Sequence, residues 1–525
     1  MPDFQQVTLL LTGRQNFQPG PETICIRRLY NKEIFMIYIR NEGLDFQYEI
    51  SDVIKLFFMD EDVAFTDDEP PADDRRIFIL IRAKESGDHV NLSILFRAPG
   101  MQCHKESTVP AADEPYEARK LLKREMKRQM YLIFSEYTGN CLPWGFLTGI
   151  RPAKIVQEML EDGKEKQEIM DRLTGYYLVS PDKAQLLYGI AVVERDILRE
   201  TAPDMISLYI GIPFCPTRCL YCSFTSNPVG KYKTMLDGYM KALEKEMDGV
   251  CEIIRNKGHR IQSIYIGGGT PTALDLDNLK RFLESVESKF DLEHVREYTL
   301  EAGRPDSLDK DKLKAIRDSR VDRISINPQT MNDDTLTLIG RKHSSEDIIT
   351  SFGMAREIGF ENINMDVIAG LPGEDYPMFE HTMEEIEKLM PESLTVHTMA
   401  IKRASRLKTE REKYGLTSRH EVSRMIDLAQ KQACTMGMHP YYIYRQKNML
   451  GNFENIGYCR PGLESIYNIQ IMEEKQTIIA LGAGAVTKAV YPDENRIERA
   501  FNVKGVEEYI TRVDEMLQRK RALLL

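Results

Sequence analysis

The sequence has no run of about twenty apolar residues, and its start, MPDFQQVTLLLTG, lacks the basic residues and small-residue cleavage site of a signal peptide. We therefore expect a cytoplasmic protein with no membrane partner. Positive charge is also scarce, since 70 Lys and Arg against 81 Asp and Glu give a net charge of -11. Because nucleic-acid binding depends mainly on Lys and Arg that neutralise phosphates, this balance disfavours nucleic acid, tRNA included, as a partner.

Cysteine is sparse and unevenly placed. The chain has nine cysteines in 525 residues, an odd number without the spacing of a disulfide framework, and a reducing compartment keeps such residues as thiols. Three of them, Cys215, Cys219 and Cys222, lie within eight positions of the segment GIPFCPTRCLYCSF. No second CxxC or CxxH stands at the spacing of a four-ligand zinc site, so structural zinc is a poor fit.

Three clustered thiols also suit an iron–sulfur cluster. A cubane held by three cysteines has one iron without a protein ligand. That iron can chelate a small molecule through adjacent amino and carboxylate groups, much as catalytic zinc sites keep one position open. The alternative is three incidental cysteines without a metal. Pro213 and Pro216 shape a tight loop around the motif and favour the cluster.

The length and the 42% hydrophobic content predict two or three domains. Residues 1–110 alternate β-branched and aromatic runs with turns, which predicts a small antiparallel β domain, and 104–115 is typical of a linker. Residues 111–204 have a mostly helical pattern, including YEARKLLKREMKRQMYLIF. Residues 205–440 form the main domain, and 441–525 form a mixed α/β segment with a strand-like TIIALGAGAV.

Strand and helix patterns alternate strictly from about Leu208 through six βα units. This alternation predicts a parallel sheet with helices outside, curled toward a barrel, whose reactive groups lie beyond the carboxyl ends of the strands. A lone carboxylate at a strand end is more often a cap or a surface charge. Unusual residues nevertheless follow all six strands: Cys215 to Cys222, Gly267 to Thr270, Glu301, Gln329, Asp366 and Ala400.

The motif CxxxCxxC, followed by the glycine-rich strand end GGGTPT, resembles the radical S-adenosylmethionine (SAM) superfamily. RISINPQTMNDDTLTLIGRKH, GFENINMDVIAGLPGE and LTVHTMAIKRAS extend the resemblance to the oxygen-independent coproporphyrinogen III oxidase family over roughly 205–490. The long N-terminal extension and YYIYRQKN resemble the HemZ-type coproporphyrinogen dehydrogenase branch. The implied fold is a partial (β/α)6 radical SAM barrel with an N-terminal β-rich plus helical extension and a C-terminal mixed α/β segment.

The resemblance implies site residues as well as a fold. It assigns a [4Fe-4S] cluster to Cys215, Cys219 and Cys222, and a first SAM to Tyr209, Gly268 and Glu301. A second SAM, described in this family, would fall to Tyr221, Gly269, Thr270, Gln329, Arg341, Asp366 and Ala400. Glycine lets backbone approach a ligand closely, although a bare GGG can equally form a sharp turn.

The resemblance implies oxidative decarboxylation of two propionates of coproporphyrinogen III, giving protoporphyrinogen IX in anaerobic haem biosynthesis. The implied partners are the tetrapyrrole and an electron donor such as flavodoxin or ferredoxin. A substrate with four carboxylates needs cationic anchors. The candidates near the barrel mouth are Lys402, Arg403, Arg406, Arg445 and Lys447.

Two alternatives stay open. Haem chaperones share the barrel and cluster, but their haem signature reads roughly His-Asn-x-x-Tyr-Trp, whereas the aligned YNIQIM has Tyr467 and lacks the haem ligand. Radical SAM methylation or opening of a porphyrin ring is the other. NPQTM stands where the family usually has Gly-Val-Gln, and EAGRPD replaces the commoner acidic-Pro pattern, so substrate identity is less constrained than SAM binding.

Overall fold

The computed structural model describes residues 36–59, 61–69, 76–111, 114–402, 404–446, 449, 452–494 and 496–525. Two units, Met1–Thr148 and Gly149–Leu525, account for the chain. The predicted strand runs VTLLL and ICIRRLY lie outside the described residues. Within the described residues, no helix combines the length and the apolar character that a membrane crossing requires.

The first unit is a five-stranded sheet with the spatial order β2-β1-β3-β4-β5. Its strands are β1 (Met36–Glu42), β2 (Asp62–Phe65), β3 (Arg76–Ser86), β4 (His89–Ala98) and β5 (Met101–Pro110). Its helices are α1 (Gln47–Phe57) and α2 (Pro115–Thr138). Apolar side chains of both helices pack on the sheet, among them Ile54 of α1 and Met126, Met130 and Phe134 of α2.

Two predictions for this region are wrong. The sheet is mixed rather than antiparallel, because β1 pairs in parallel with both β2 and β3. Parallel neighbours need a crossover, and α1, which the sequence analysis missed, supplies it between β1 and β2. The linker predicted at 104–115 is largely β5, which pairs with β4 along its whole length. Its polar residues resemble a linker because alternate side chains of this edge strand face solvent.

The second unit contains an eleven-stranded sheet. The six strands of the predicted βα units are β6 (Met205–Ile212), β9 (Arg260–Gly268), β10 (Glu297–Gly303), β11 (Arg323–Ile326), β12 (Ile363–Ala369) and β13 (Ser393–Thr398). They pair in parallel with their neighbours in chain order. The predicted fold class is therefore confirmed.

The helices of this unit are α3 (Ala153–Glu161), α4 (Lys166–Asp171), α5 (Pro181–Arg199), α6 (Val229–Lys257), α7 (Leu276–Lys289), α8 (Lys310–Arg317), α9 (Asp333–Leu338), α10 (Ser345–Ile358), α11 (Tyr376–Leu389), α12 (Arg406–Thr409), α13 (Arg419–Thr435), α14 (Ile466–Glu473) and α15 (Val506–Leu524). A π-helical turn, Arg172–Tyr176, follows α4. Helices α6, α7, α8, α10 and α11 are the crossovers between successive parallel strands.

The C-terminal segment supplies strands to both edges of this sheet. At the β13 edge, β15 (Asn455–Cys459) pairs antiparallel with β13, and β14 (His439–Tyr444) pairs antiparallel with β15 and is the outermost strand. At the other edge, β16 (Ile478–Leu481) lies parallel to β6, and β17 (Val486–Tyr491) and β18 (Arg496–Phe501) continue antiparallel. The predicted segments 205–440 and 441–525 thus contribute strands to one sheet. The predicted domain boundaries at 110, 204 and 440 stay predictions.

A buried ion pair fastens the last helix to the second unit. Lys520 of α15 donates from Nζ to Glu246 Oε1 of α6 over 2.7 Å, and both side chains are fully buried. Glu246 also accepts from Asn502 Nδ2 and from the backbone N–H of Gly482, each over 2.8 Å. A buried charge is tolerated only when its hydrogen bonds are satisfied, so Glu246 depends on all of these partners.

Removing the cation should therefore destabilise the second unit. We expect Lys520→Met to lower the free energy of unfolding by about 3 to 5 kcal/mol, because the fully buried Glu246 side chain loses its cationic partner. The matched control is Lys245→Met, which breaks the exposed Lys245–Asp514 pair between the same two helices and should cost within about 1 kcal/mol. Urea denaturation measures both, and equal losses in the two variants would contradict this assignment.

Candidate active site

The carboxyl ends of the parallel strands border a cavity of about 240 Å³. Twelve of the thirteen residues predicted for the site line it: Cys215, Cys219, Tyr221, Cys222, Gly268, Gly269, Thr270, Glu301, Gln329, Arg341, Asp366 and Ala400. Tyr209 is not among the lining residues and stacks on Tyr265 and Tyr467, with ring centroids 6.3 and 6.2 Å away. The fold therefore brings together residues that the sequence separates widely.

The three cysteines enter the cavity from one loop after β6. Its two ends are joined where β7 (Phe214–Cys215) pairs with β8 (Asn227–Pro228). Cys215 is buried, and Thr270 Oγ1 donates to its sulfur over 3.5 Å. Cys219 and Cys222 are partly buried. The loop thus presents three thiols to one enclosed space.

The donor set fits a polynuclear cluster better than a single ion. Among the described residues, His439, Cys459 and Glu464 have donor atoms that all lie within 4.8 Å of one another, close enough to share one ion. The sulfurs of Cys215, Cys219 and Cys222 do not meet this limit, so they are spread more widely than one ion requires. Burial raises the pKa of Cys215 to about 12, and a bound metal deprotonates such a thiol. Three thiols, wide spacing and burial suit an iron–sulfur cluster.

Two buried guanidinium groups support the cysteine loop. Arg304 donates from Nη1 to the carbonyl oxygen and hydroxyl of Thr217, over 3.1 and 2.9 Å, and to Cys219 Sγ over 3.8 Å. Asp306 accepts two hydrogen bonds from the same arginine. Arg341 donates to Tyr221 Oη over 3.4 Å. These contacts hold both the backbone and one sulfur of the cysteine loop in place.

Sequence reasoning missed Arg304. It lies in EAGRPD, the segment noted as a departure from the family pattern, which also contains its partner Asp306. The departure of EAGRPD from the family pattern was therefore the sequence signal that could have identified Arg304.

The glycines at the end of β9 and directly after it allow neighbouring backbone to approach closely. A Cβ on Gly269 would lie 2.5 Å from the carbonyl oxygen of Phe214. Gly268 has a φ of +102°, a conformation that L side chains rarely adopt. The backbone N–H groups of Gly269 and Thr270 donate to Ile212 and Phe214 over 2.8 and 2.7 Å. The GGG stretch is thus both a turn and a site of close backbone contact.

The two strand-end carboxyl groups have different environments. Glu301 accepts a hydrogen bond from Tyr265 Oη over 2.7 Å, and burial raises the pKa of Glu301 to about 7. Burial also acts to raise the pKa of Asp366, but the hydrogen bond and charge of His397 and the amide of Asn364 outweigh it, so that pKa is lowered. Glu301 is therefore suited to a proton or donor role, and Asp366 to a permanent negative charge.

Asp366 is also part of a chain of polar groups that the sequence did not reveal. His397 Nε2 lies 3.7 Å from Asp366 Oδ2, and the other ring nitrogen is hydrogen-bonded to Tyr444 Oη over 3.1 Å. His397 and Tyr444 both line the cavity. Their segments, LTVHTMAIKRAS and YYIYRQKN, were noted for the resemblance alone, and no local pattern marks either residue.

Gln329 has a backbone conformation that is uncommon for its residue type. Its φ is +69°, and its N–H and C=O bond to the backbone of Asp366 and Ile368 over 2.9 and 3.0 Å. A non-glycine residue held in the left-handed region costs strain, and such residues cluster at active sites and ligand contacts. The strain directs attention to Gln329 as a functional residue.

The comparisons with known proteins agree with this geometry. The Radical SAM superfamily model matches residues 209–386. The oxygen-independent coproporphyrinogen-III oxidase-like protein HemZ of Bacillus subtilis (strain 168) is 38% identical over 479 residues, which is 90% of this chain and 94% of that relative. The chain belongs to the HemZ-type radical SAM family.

Other relatives of this HemZ-type chain carry different names. The heme chaperone HemW of Bacillus subtilis (strain 168) is 33% identical over 284 residues, which is 54% of this chain and 70% of that relative. Coproporphyrinogen III oxidase (HemN) from Escherichia coli, a solved structure described as a radical SAM enzyme, is 23% identical, with a TM-score of 0.48, and covers 62% of this chain and 73% of that chain. Membership of the radical SAM superfamily implies a [4Fe-4S] cluster and SAM. It does not decide between an oxidase and a haem chaperone.

The raised pKa of Glu301 predicts a pH-dependent stability. The unfolded chain releases this proton near pH 4.5, whereas the folded chain keeps it until about pH 7, so stability falls as pH rises between these values. We expect Glu301→Gln to gain stability relative to the native chain across that window. The gain should level off above it at no more than about 3 kcal/mol.

Chemical denaturation at several pH values measures this difference. The matched control is Asp275→Asn, before the first residue of α7, because burial of Asp275 is outweighed by its hydrogen bonds to Asn278, which lower its pKa, and its carboxyl group stays ionised throughout the same window. A flat profile for Glu301→Gln, or the same rise in both variants, would contradict the assignment.

Proposed function

We propose that this protein catalyses the oxidative decarboxylation of two propionates of coproporphyrinogen III to vinyl groups, giving protoporphyrinogen IX. One observation carries the proposal: a three-thiol loop and polar residues from the ends of all six parallel strands line a single cavity. The chain also aligns over 90% of its length with an oxidase-like relative.

The cysteines Cys215, Cys219 and Cys222 would hold a [4Fe-4S] cluster through three of its irons. When bound, the cluster and SAM supply reductive SAM cleavage and hydrogen-atom abstraction. Gly268 would offer backbone to the amino-acid part of a first SAM, and Glu301 would bind a polar group of it, with Tyr209 packed behind. This arrangement keeps one coordination position free of side chains, as chelation of a small molecule requires.

A second SAM would contact the other predicted residues of the cavity. Arg341 would fork onto a carboxylate, and the ionised Asp366 would bind an ammonium or ribose group. Gln329 offers both a donor and an acceptor. The remaining contacts would come from Tyr221, Gly269, Thr270 and Ala400.

The substrate step must balance atoms and electrons. Each reacting propionate side chain would lose a hydrogen atom from its β-carbon, which leaves in 5'-deoxyadenosine, and then carbon dioxide and one electron, which passes to a one-electron acceptor. Lys402 and His397 line the cavity and would bind the carboxylate that leaves. Arg445 is buried and Arg406 is exposed, and neither lines the cavity; Arg403 and Lys447 lie outside the described residues.

The chaperone alternative rests on the HemW relative and has one contact against it. At the position that aligns with the haem ligand, Tyr467 is 5% exposed and stacks on Tyr265 with ring centroids 4.5 Å apart. Asn468 next to it donates to Tyr441 Oη over 3.1 Å. A packed tyrosine at this position is a poor axial ligand, which favours catalysis.

The test is an anaerobic assay of the purified protein with SAM, a chemical reductant and coproporphyrinogen III, followed by mass spectrometry. We expect a product that has lost two carbon dioxide and four hydrogens, with 5'-deoxyadenosine formed in step. Cys219→Ala should abolish iron binding and product, because the cluster loses one of three ligands. Cys434→Ala, at an exposed cysteine outside the cavity, is the matched control and should behave as wild type.

Other products would overturn the proposal. Tight haem binding without turnover would establish the chaperone alternative, and a product that gains a methyl group would establish porphyrin methylation. Formation of 5'-deoxyadenosine by Cys219→Ala would refute the cluster assignment itself.

A further inference from the structure

The edge of the sheet that lies away from the cavity carries a second group of metal-ligating side chains. His439 is the first residue of β14 and Cys459 is the last residue of β15, and the two are register partners in this antiparallel pair. Cys459 also pairs with Ser393, the first residue of β13. Since the cavity lies at the carboxyl ends of the parallel strands, this group lies at the opposite edge.

The loop after β15 brings a carboxylate to the same place. Glu464 Oε1 lies 3.0 Å from His439 Nε2 and accepts a hydrogen bond from the backbone N–H of Gly462 over 3.2 Å. The ligand atoms of His439, Cys459 and Glu464 all lie within 4.8 Å of one another. We call these three residues the edge site.

Hydrogen bonds hold the loop that carries Glu464. The N–H of Arg460 donates to the carbonyl oxygen of Glu392 over 3.0 Å, and the N–H of Leu463 donates to that of Arg460 over 3.1 Å. The buried Arg323 donates from Nη1 to the carbonyl oxygen of Leu463 over 3.0 Å. Paired strands and a bonded loop thus hold the three donors close together before any ion binds.

The donor set of the edge site is one that zinc accepts. Imidazole nitrogen, cysteine sulfur and carboxylate oxygen are the three ligand types of zinc in proteins, whereas magnesium and calcium prefer oxygen alone. Ligand atoms on one tetrahedral zinc stand about 3 to 4 Å apart. The separations of the edge site, from 3.0 Å up to 4.8 Å, therefore need only small side-chain movements to fit one ion.

The charges of the edge site also suit a divalent cation. Burial raises the pKa of Cys459, so its sulfur is a thiol without a metal, and zinc displaces the thiol proton to solvent. The thiolate and the Glu464 carboxylate then carry two negative charges, which balance Zn²⁺. Because the occupied site is neutral, the Arg323 guanidinium nearby meets no net positive charge.

An ion pair alone explains only part of this arrangement. A salt bridge between His439 and Glu464 accounts for two of the three residues and has no need of the buried sulfur beside them. The side chains of His439 and Glu464 are 23% and 16% exposed. An ion can therefore reach the edge site from solvent, and a water molecule can serve as a fourth ligand.

We propose that the edge site binds one zinc ion through His439 Nε2, Cys459 Sγ and a carboxylate oxygen of Glu464, with water as the fourth ligand. Helix α14 begins at Ile466, two residues after Glu464, so the ion joins the start of this helix to β14 and β15. The site is separate from the three-cysteine loop and takes no part in the reaction proposed above. Since only the folded chain assembles the three ligands, zinc should stabilise it.

The test measures zinc on the iron–sulfur protein, prepared without oxygen and dialysed against buffered free Zn²⁺. Plasma mass spectrometry counts zinc and iron, and X-ray absorption at the zinc edge identifies the zinc ligands without interference from iron. Cys459→Ala and His439→Gln each remove one ligand. Cys434→Ala makes the same exchange at an exposed cysteine and is the matched control. A triple variant with alanine at Cys215, Cys219 and Cys222 removes the thiols of the cysteine loop.

We expect wild type to bind one zinc per chain, with one sulfur at about 2.3 Å and nitrogen or oxygen at about 2.0 to 2.1 Å. Each edge-site variant should bind zinc at least about tenfold more weakly, since loss of even an outer-shell partner costs about 10- to 100-fold in metal affinity. Zinc should raise the melting temperature of wild type but not of these variants. Cys434→Ala should match wild type, and the triple variant should lose iron and keep zinc.

Wild type without zinc, or zinc bound equally by wild type and both edge-site variants, would overturn the inference. Three sulfur ligands, or loss of zinc in the triple variant, would place the ion at the cysteine loop and would overturn it as well. If Cys459→Ala does not fold, the zinc affinity of His439→Gln decides. Product formation tests the proposed function separately, so its failure would leave the zinc result unchanged.

Discussion

The parallel pairing of six consecutive strands is the constraint on which the candidate site depends. Parallel neighbours turn their carboxyl ends to one edge of the sheet, so residues from Cys215 to Ala400 meet there although the chain separates them. Backbone hydrogen bonds from Gly269 to Ile212 at the end of β6, and from Thr270 to Phe214 of β7, fix the cysteine loop against the second strand. The C-terminal segment extends the same sheet on both sides by adding strands next to β13 and β6.

Electrostatics then divides the work among similar groups. Glu301 and Asp366 both line the cavity, but burial raises the pKa of Glu301, whereas at Asp366 the contacts with His397, Asn364 and Thr395 together outweigh burial and lower the pKa. Pairs of carboxyl groups with opposite shifts are a recurrent way to separate proton-donating and charge-binding roles. The buried guanidinium groups of Arg304 and Arg341 hydrogen-bond to the thiol loop.

The sequence predicts the strands and their ends well because both signals are local. Alternating strand and helix patterns mark the sheet, and the crowding of Cys215, Cys219 and Cys222 marks the loop. Arg304, His397 and Tyr444 were missed because their roles arise from contacts between residues far apart in the sequence. Tyr444 lies on β14 and His397 on β13, and these strands are brought to either side of β15 only in the folded sheet. The parallel pairing of β1 was missed for a similar reason, since it depends on a crossover helix rather than on the strand's own composition.

The central claim is a cluster that three cysteines hold at three corners, with one iron open to SAM. Mössbauer spectroscopy of protein purified without oxygen tests it directly. The account predicts a [4Fe-4S] spectrum in which one iron of the four differs from the rest and shifts when SAM is added. A protein without such a cluster, or one whose four irons are equivalent and unchanged by SAM, would contradict it.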